Sequence, residues 1–141
     1  MIKIIKLRKT FLRKKSKNPA SQAKDRIQDL LRAIVIARDK GCILRNIRKC
    51  GGEVGEAVLQ ADHLVTRANS ATFSDSRLVV CICRNCHGWK HWWKEEYDEL
   101  VKTILPKERV ALWERAEKER QTHKPKQGIN WSLEEKALIQ E

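Results

Sequence analysis

The segment Cys83–His87 (CRNCH) carries two thiols at the Cys-x2-Cys spacing of zinc knuckles and ends in a histidine. His91 follows four residues later, a spacing that places two imidazoles on the same side of a helix. Upstream, Asp62 and His63 join a carboxylate to an imidazole. These residue types indicate a structural metal site next to a reactive site.

Two more cysteines, Cys42 and Cys50, can complete a structural zinc site. With Cys83 and Cys86 they supply four thiolates, the full ligand set of one tetrahedral zinc, and this is the favoured prediction. In the alternative, Cys42 and Cys50 are ordinary thiols and one zinc binds a downstream set: Cys83, Cys86, His87 and His91. The remaining Cys81 is predicted to be a small buried residue. An odd count of five cysteines favours metal ligation over a disulfide framework.

The charge of this 141-residue chain is unevenly distributed. Residues 1–26 hold ten Lys and Arg against a single Asp, which leaves +9 of the total net charge of +12, and the other 115 residues hold +3. Such an asymmetry is typical of a basic arm that lies along a polyanion, so we expect a nucleic acid as the partner. The alternative is a solvated tail that keeps the protein soluble.

No membrane or export segment is evident in the sequence. Lys3 and Lys6 interrupt the apolar residues at the N-terminus, and no apolar run elsewhere is long enough to cross a bilayer. We therefore expect a soluble, cytoplasmic protein of one compact domain with appendages, acting without a membrane partner.

Hydrophobic periodicity and strand composition predict an α+β protein. The predicted elements are a helix from Ser21 to Gly41, strands at Ala57–Val65 and Arg77–Cys83, a helix at His87–Ile104, a helix from Pro106 to Gln121 and a short helix from Ser132. On the helix that follows the second strand, His87 and His91 lie about 40° apart, whereas Trp89 and Trp93 point to the opposite side. We expect its tryptophans to be buried, although Trp92 (or Trp131 further on) could stack on a base.

This order of strand, loop, strand and histidine-bearing helix, with two cysteine pairs, resembles the HNH endonucleases and their ββα-metal (His-Me finger) core. Three motifs carry the resemblance: Arg38–Cys42 (RDKGC), Ala61–His63 (ADH) and Cys83–Lys90 (CRNCHGWK). The likeness spans about residues 34–95, and small phage-borne HNH proteins, which act in a bacterial host, are similar in size. We expect the chain to consist of a basic arm (1–20), a zinc-braced nuclease domain (21–105) and a C-terminal helical extension (106–141), and the arm and the extension gain nothing from the resemblance.

The resemblance implies a metal-dependent hydrolysis of DNA phosphodiesters. His63 would act as the general base that takes a proton from water. Asp62 and His87 would bind a divalent cation, with His91 as a third ligand. Mg²⁺ or Mn²⁺ is the expected catalytic cation, with Ni²⁺ or Zn²⁺ as alternatives, in addition to the structural Zn²⁺.

Three basic residues near these motifs are candidates for contact with phosphate. They are Arg67, in the loop after His63, and Lys90 and Lys94, on the histidine-bearing helix; the alternative for the lysines is a solvated charge. The chain departs from the HNH pattern at the middle asparagine. Three residues could take over its orienting role: Asn69, Asp75 and Ser76.

Two other functions stay open from the sequence. One is a non-catalytic, zinc-stabilised DNA-binding module that uses its imidazoles structurally. The other is a structure-selective nuclease that acts on recombination junctions. The protein could be a monomer or a homodimer, because apolar residues of the C-terminal helices need partners: Val110, Trp113, Leu133 and Leu138.

Overall fold

A computed structural model describes residues 18–48, 50, 58–66, 71–122 and 131–140. The predicted arm lies outside these ranges up to residue 17, as do Arg67 and Asn69. Within them the fold is α+β, as predicted, with a two-stranded antiparallel sheet and five α-helices. In chain order these are α1 (Pro19–Asp39), β1 (Leu59–His63), β2 (Val79–Cys83), α2 (Arg84–Trp92), α3 (Lys94–Ile104), α4 (Lys107–Thr122) and α5 (Trp131–Ile139). A one-turn 3₁₀ helix, Ser76–Leu78, precedes β2.

Helix α1 has clear start and stop signals. The Asn18 side chain accepts a hydrogen bond from the Ser21 N–H at 2.8 Å, and Pro19 occupies the first turn. The core face repeats every four residues: Ala23, Ile27, Leu31 and Val35. The helix ends where Lys40 adopts a left-handed conformation (φ 57°) and Gly41 follows at φ 126°, so the predicted stop at this glycine is confirmed.

The two strands form the centre of the core. Asp62 pairs with Val80 and His63 pairs with Val79 in the antiparallel register. Every residue of β2 is buried, so neighbouring elements cover both of its faces. Since β1 ends at His63, the Asp62–His63 dipeptide lies at the end of a strand.

The predicted helix His87–Ile104 is two helices, α2 and α3, separated at Trp93. The backbone of Trp93 is non-helical (φ −132°, ψ 54°). Its side chain therefore does not continue the buried face that Tyr97 and Val101 form on α3. Trp92 and Trp93 are 80% and 54% exposed, so the prediction of a buried tryptophan face is wrong for these two residues. Trp89 packs partly buried against the core.

Helices α4 and α5 pack into the same core as the sheet. Trp113, Ala116 and Leu138 belong to one buried cluster with Tyr97 and Val101. Two of the residues predicted to need a partner, Trp113 and Leu138, are thus buried within the chain itself. No helix within the described ranges combines the length and the apolar character needed to cross a membrane.

A cysteine cluster beside a basic cleft

The sulfur atoms of Cys42, Cys50, Cys83 and Cys86 all lie within 4.8 Å of one another. The Sγ atom of Cys50 is 3.4 Å from that of Cys86 and 3.8 Å from that of Cys42. Zinc–sulfur bonds of about 2.3 Å set a tetrahedron with edges of about 3.8 Å, so the cluster could hold a metal ion such as zinc. The favoured four-cysteine set is therefore brought together, whereas the alternative set with His87 and His91 is not.

Local backbone contacts position these thiols. The Ile43 N–H donates to the Cys81 carbonyl at 3.0 Å, which attaches the Cys42 loop to β2. Cys83 is the N-cap of α2, and its sulfur accepts from the Cys86 N–H at 3.4 Å. A thiolate accepting a backbone N–H at a helix N-terminus is stabilised by that end of the helix dipole.

The motif before the first cysteine ties α1 to β2. Asp39 accepts a hydrogen bond from the Cys81 N–H at 2.9 Å. Arg38 donates to the carbonyls of Val79 at 2.6 Å and Ser76 at 2.8 Å. The first two residues of RDKGC thus fix the end of α1 against the strand, from which the chain enters the cysteine cluster.

Crowding of the thiols separates their pKa values. Hydrogen bonding from the Cys86 thiol lowers the pKa of Cys42 to about 5. Burial raises the pKa of Cys50 to about 11, and hydrogen bonding to Cys42, followed by burial, raises that of Cys86. Cys42 is therefore the most acidic of these three thiols, and a bound cation would hold its ligands as thiolates and release their protons.

Arg48 places a positive charge beside the cluster. Its guanidinium lies 4.5 Å from the centroid of the Trp89 ring, and its Nη1 atom is 3.5 Å from the Cys86 sulfur. A cation in this position offsets the negative charge of thiolates. The sequence does not predict this contact, because the position of Arg48 two residues before Cys50 does not show that its side chain reaches Cys86 and Trp89.

Asp62 is the centre of a second group of side chains. It is 4% exposed, and Lys90 Nζ lies 2.8 Å from each of its carboxylate oxygens. The Tyr97 hydroxyl donates to Oδ2 at 2.6 Å, and His87 Nε2 lies 3.8 Å from Oδ1. Burial, followed by the charge of Asp62, raises the pKa of Tyr97 well above its ordinary value, so this hydroxyl remains a donor at neutral pH.

His63 is buried and oriented by Phe73. Its Nε2 atom lies 2.9 Å from the Phe73 carbonyl, and the two rings stack with centroids 5.0 Å apart. A carbonyl oxygen only accepts, so Nε2 carries the hydrogen and Nδ1 is the basic nitrogen of the neutral ring. The Phe73 carbonyl thus orients the imidazole. Asp75, one of the residues considered for this orienting role, caps the 3₁₀ helix and pairs with Arg77 at 2.8 Å.

Both residues of the Asp62–His63 dipeptide line one cleft of about 680 Å³, as the end of β1 at that point permits. The other side chains that line it include His87, Lys90 and Lys94 from the α2–α3 region, Gln28 and Arg32 from α1, and Glu117 and Arg120 from α4. Cationic groups outnumber carboxylates in this lining. Arg32 and Arg120 were not predicted, because they come from helices that the sequence motifs do not include.

His91 lies apart from Asp62. It lines a second cavity of about 430 Å³, where its ring meets Trp92 edge-on with centroids 5.4 Å apart. Among the described residues, the four cysteines are the one group of three or more potential ligands close enough to share a metal ion. The predicted cation site of Asp62, His87 and His91 therefore stays a prediction: Asp62 and His87 are adjacent, and Lys90 holds the carboxylate.

No protein-family model, no curated protein and no solved structure matches the chain. Its function has to be inferred from the chemistry of the cleft and of the cysteine cluster.

Proposed function

We propose that this protein is a DNA endonuclease of the HNH type that hydrolyses phosphodiesters in the cleft. The observation that carries the proposal is the convergence of Asp62, His63 and His87 on one basic cleft next to the cysteine cluster. These are the residues to which the HNH resemblance assigns the reaction. The same resemblance makes a 5′ phosphate the expected product.

His63 has the properties of a general base. Its Nε2 is engaged by the Phe73 carbonyl, which leaves Nδ1 as the nitrogen that would take the proton; Nδ1 is buried in this structure, so water must gain access to it when substrate binds. The water oxygen then forms a bond to phosphorus while the bond to the 3′ oxygen breaks. Stacking on the Phe73 ring and the hydrogen bond to the Phe73 carbonyl fix the imidazole, which avoids an entropic cost at the moment of proton transfer.

The cationic side chains of the cleft are suited to a phosphate backbone. Lys90 and Lys94 approach from the α2–α3 region, and Arg32 and Arg120 approach from the facing helices. Contacts of this kind position the DNA without reading its sequence. The net charge of +12 supports the same partner.

Asp62 and His87 have the donor chemistry for a divalent cation such as Mg²⁺ or Mn²⁺. When bound, such a cation would stabilise negative charge that develops on the phosphate. Lys90 holds both oxygens of Asp62, so its ammonium group must move for a cation to bind. A substrate phosphate in the cleft is a suitable new partner for that ammonium group.

The cysteine cluster is proposed to be a structural zinc site. It joins the loop after α1 to the end of β2 and to the first turn of α2. A closed set of four thiolates leaves no open position for substrate, so its role is to fix the helix that carries His87 and Lys90.

Plasmid cleavage with Mg²⁺, Mn²⁺ or Ni²⁺ tests the proposal. Wild-type protein should nick or cut the plasmid, and His63→Ala should reduce the rate by about 10²- to 10⁴-fold, the usual contribution of a general base. His123→Ala is a matched control, because His123 belongs to no predicted motif, and it should cut like wild type. Equal cutting by His63→Ala and wild type would remove the proposed base.

A non-catalytic, zinc-stabilised DNA-binding module is the second candidate. The observation that favours it is that Lys90 neutralises Asp62 and Tyr97 donates a hydrogen bond to it, which leaves the carboxylate already satisfied. Metal counting separates the two functions. The nuclease should hold one tight zinc and a second, weak, exchangeable cation, whereas the binding module should hold the zinc alone.

A further inference from the structure

Trp92 is unusually exposed for a tryptophan. It is 80% exposed at the end of α2, whereas Trp113 is 2% exposed and Trp89 and Trp131 pack partly buried against the core. Trp131 is also engaged by Phe73, with ring centroids 5.4 Å apart. Of the two tryptophans considered for base stacking, Trp92 is thus the one whose ring is open to solvent.

A glycine one helical turn before Trp92 leaves space beside the indole. Gly88 lies inside α2, and a Cβ built there would meet no atom within 4 Å beyond its chain neighbours and the backbone of its own helix. No φ requirement or close backbone approach explains this residue, although a helix-interior glycine is less stable than alanine. Gly88 and Trp92 line the same cavity of about 430 Å³.

This cavity shares cationic lining residues with the proposed phosphate cleft. His87, Lys90 and Lys94 line both spaces, so the two are adjacent. A phosphate held by these residues would bring the neighbouring nucleotide toward Trp92. The combination of an open aromatic face with adjacent cations is the arrangement by which proteins bind unpaired nucleotides.

We propose that Trp92, with the space that Gly88 leaves open, binds an unpaired nucleobase of the DNA strand whose phosphate lies in the cleft. A base inside a duplex is stacked on its neighbours and cannot reach this ring without being unpaired. The site therefore favours single-stranded DNA and duplexes with an unpaired nucleotide over perfect duplex. This inference rests on the proposed function in that it takes the cleft as the phosphate-binding site.

The occupant is inferred to be a nucleotide rather than a second copy of the chain because of charge. The cavity around Trp92 is lined by basic and imidazole side chains, and no carboxylate lines it among the described residues. Two such surfaces would offer each other no carboxylate partner across a symmetric dimer interface. A polyanion complements them.

Binding without cleavage tests the proposal. Fluorescence anisotropy would measure the affinity of the zinc-containing protein for three labelled DNAs without added Mg²⁺ or Mn²⁺: a single strand, its perfect duplex and the same duplex with one unpaired nucleotide. Trp92→Ala should weaken binding to the first and third DNAs by about 5- to 150-fold, the range for loss of one stacked base, and change duplex binding by less than about twofold. Trp92→Phe should restore most of the affinity.

Gly88→Leu separates binding from folding. A Cβ at position 88 meets open space and leucine favours the helix over glycine, so thermal stability should not fall, yet the side chain fills the space beside Trp92 and should weaken binding like Trp92→Ala. Leu133→Ala, at an apolar residue 61% exposed on α5, is the matched control and should bind like wild type. Equal weakening for all three DNAs, or none, would overturn the proposal. A change of oligomeric state in Trp92→Ala without a change in DNA affinity would assign the surface to self-association and overturn it too.

The two proposals fail in different ways. Protein that cleaves no DNA but loses single-strand affinity in Trp92→Ala would refute the nuclease and retain the base site. Protein that cleaves through His63 but binds all three DNAs equally well with and without the indole would retain the nuclease and refute the base site.

Discussion

At the scale of single residues, Asp62 and Lys90 form the ion pair that most affects access to the proposed cation site. Their side chains are 5% and 16% exposed, so each charge depends on the other for its stabilisation. Tyr97 adds a hydrogen bond from the core side. The Asp62 carboxylate therefore accepts hydrogen bonds from two protein groups in place of water. Any metal ion that binds it must compete with the ammonium group of Lys90.

Lys90→Met tests this competition because methionine keeps the apolar stem and removes the charge. The variant should lose about 3–5 kcal/mol of unfolding free energy, since Asp62 stays buried without its cation. Mn²⁺ should then raise the thermal midpoint of the variant more than that of wild type, because it binds the vacated carboxylate in the folded state. Thermal unfolding with and without Mn²⁺ measures both effects.

Lys94→Met is the control for Lys90→Met. Its ion pair with Asp98 is exposed, at 58% and 27%, so the loss should stay below about 1 kcal/mol and Mn²⁺ should add no extra stability. An equal Mn²⁺ effect on wild type and on Lys90→Met would argue against a cation at Asp62.

At the scale of elements, β2 and α2 connect the two sites. Cys83 ends the strand and caps the helix, Cys86 lies in the first turn, and His87 and Lys90 follow into the cleft. A metal bound to the thiols would thus fix the first turn of the helix that presents the cleft residues. Loss of that metal should affect both fold and cleft.

Cys86→Ala should abolish tight zinc binding, because it removes one of four thiols within 4.8 Å. Cys81→Ala is its matched control: Cys81 is equally buried, and its pKa is raised to about 11 by burial, but it lies outside the cluster. Elemental analysis of purified protein should find about one zinc in wild type and in Cys81→Ala, and none in Cys86→Ala. Zinc retained by Cys86→Ala would contradict the four-thiolate site.

Much of the secondary structure, and the cysteine cluster, could be predicted from the sequence. The periodicity of α1, the strand composition around His63 and Cys83, and the cysteine spacing are local signals, and each led to the observed element or cluster. The break at Trp93 could not be predicted, because tertiary packing of Tyr97 and Val101 decides it. The pairing of Asp62 with Lys90 and Tyr97 joins residues 28 and 35 positions apart, and spacing alone does not show such pairings.

At the scale of the whole molecule, the positive charge is concentrated in the N-terminal residues. The chain carries +12, and residues 1–17 contribute eight Lys and Arg and no acidic residue. Helix α1 begins at Pro19 with its own cap from Asn18, so these residues can be removed without touching a described element. Their expected contribution is affinity for the DNA backbone, independent of sequence.

Deletion of residues 1–17 should weaken DNA binding and flatten its dependence on salt concentration, by about 0.9 in the logarithmic slope for each DNA phosphate that the shortened protein no longer neutralises. Zinc content should not change, because the four thiols lie outside the deleted segment. Affinity measured over a range of salt concentrations checks this. An unchanged slope would show that these residues do not bind phosphate.

The role of His63 as the base of a phosphodiester hydrolase is the central claim, and chemical rescue tests it most directly. In His63→Gly, loss of the ring should nearly abolish single-turnover cleavage of plasmid DNA in the presence of Mg²⁺ or Mn²⁺. Added imidazole should restore cleavage in proportion to its free-base concentration, because it can occupy the vacated space next to Phe73. Cleavage by His63→Gly at the wild-type rate without imidazole would contradict the account.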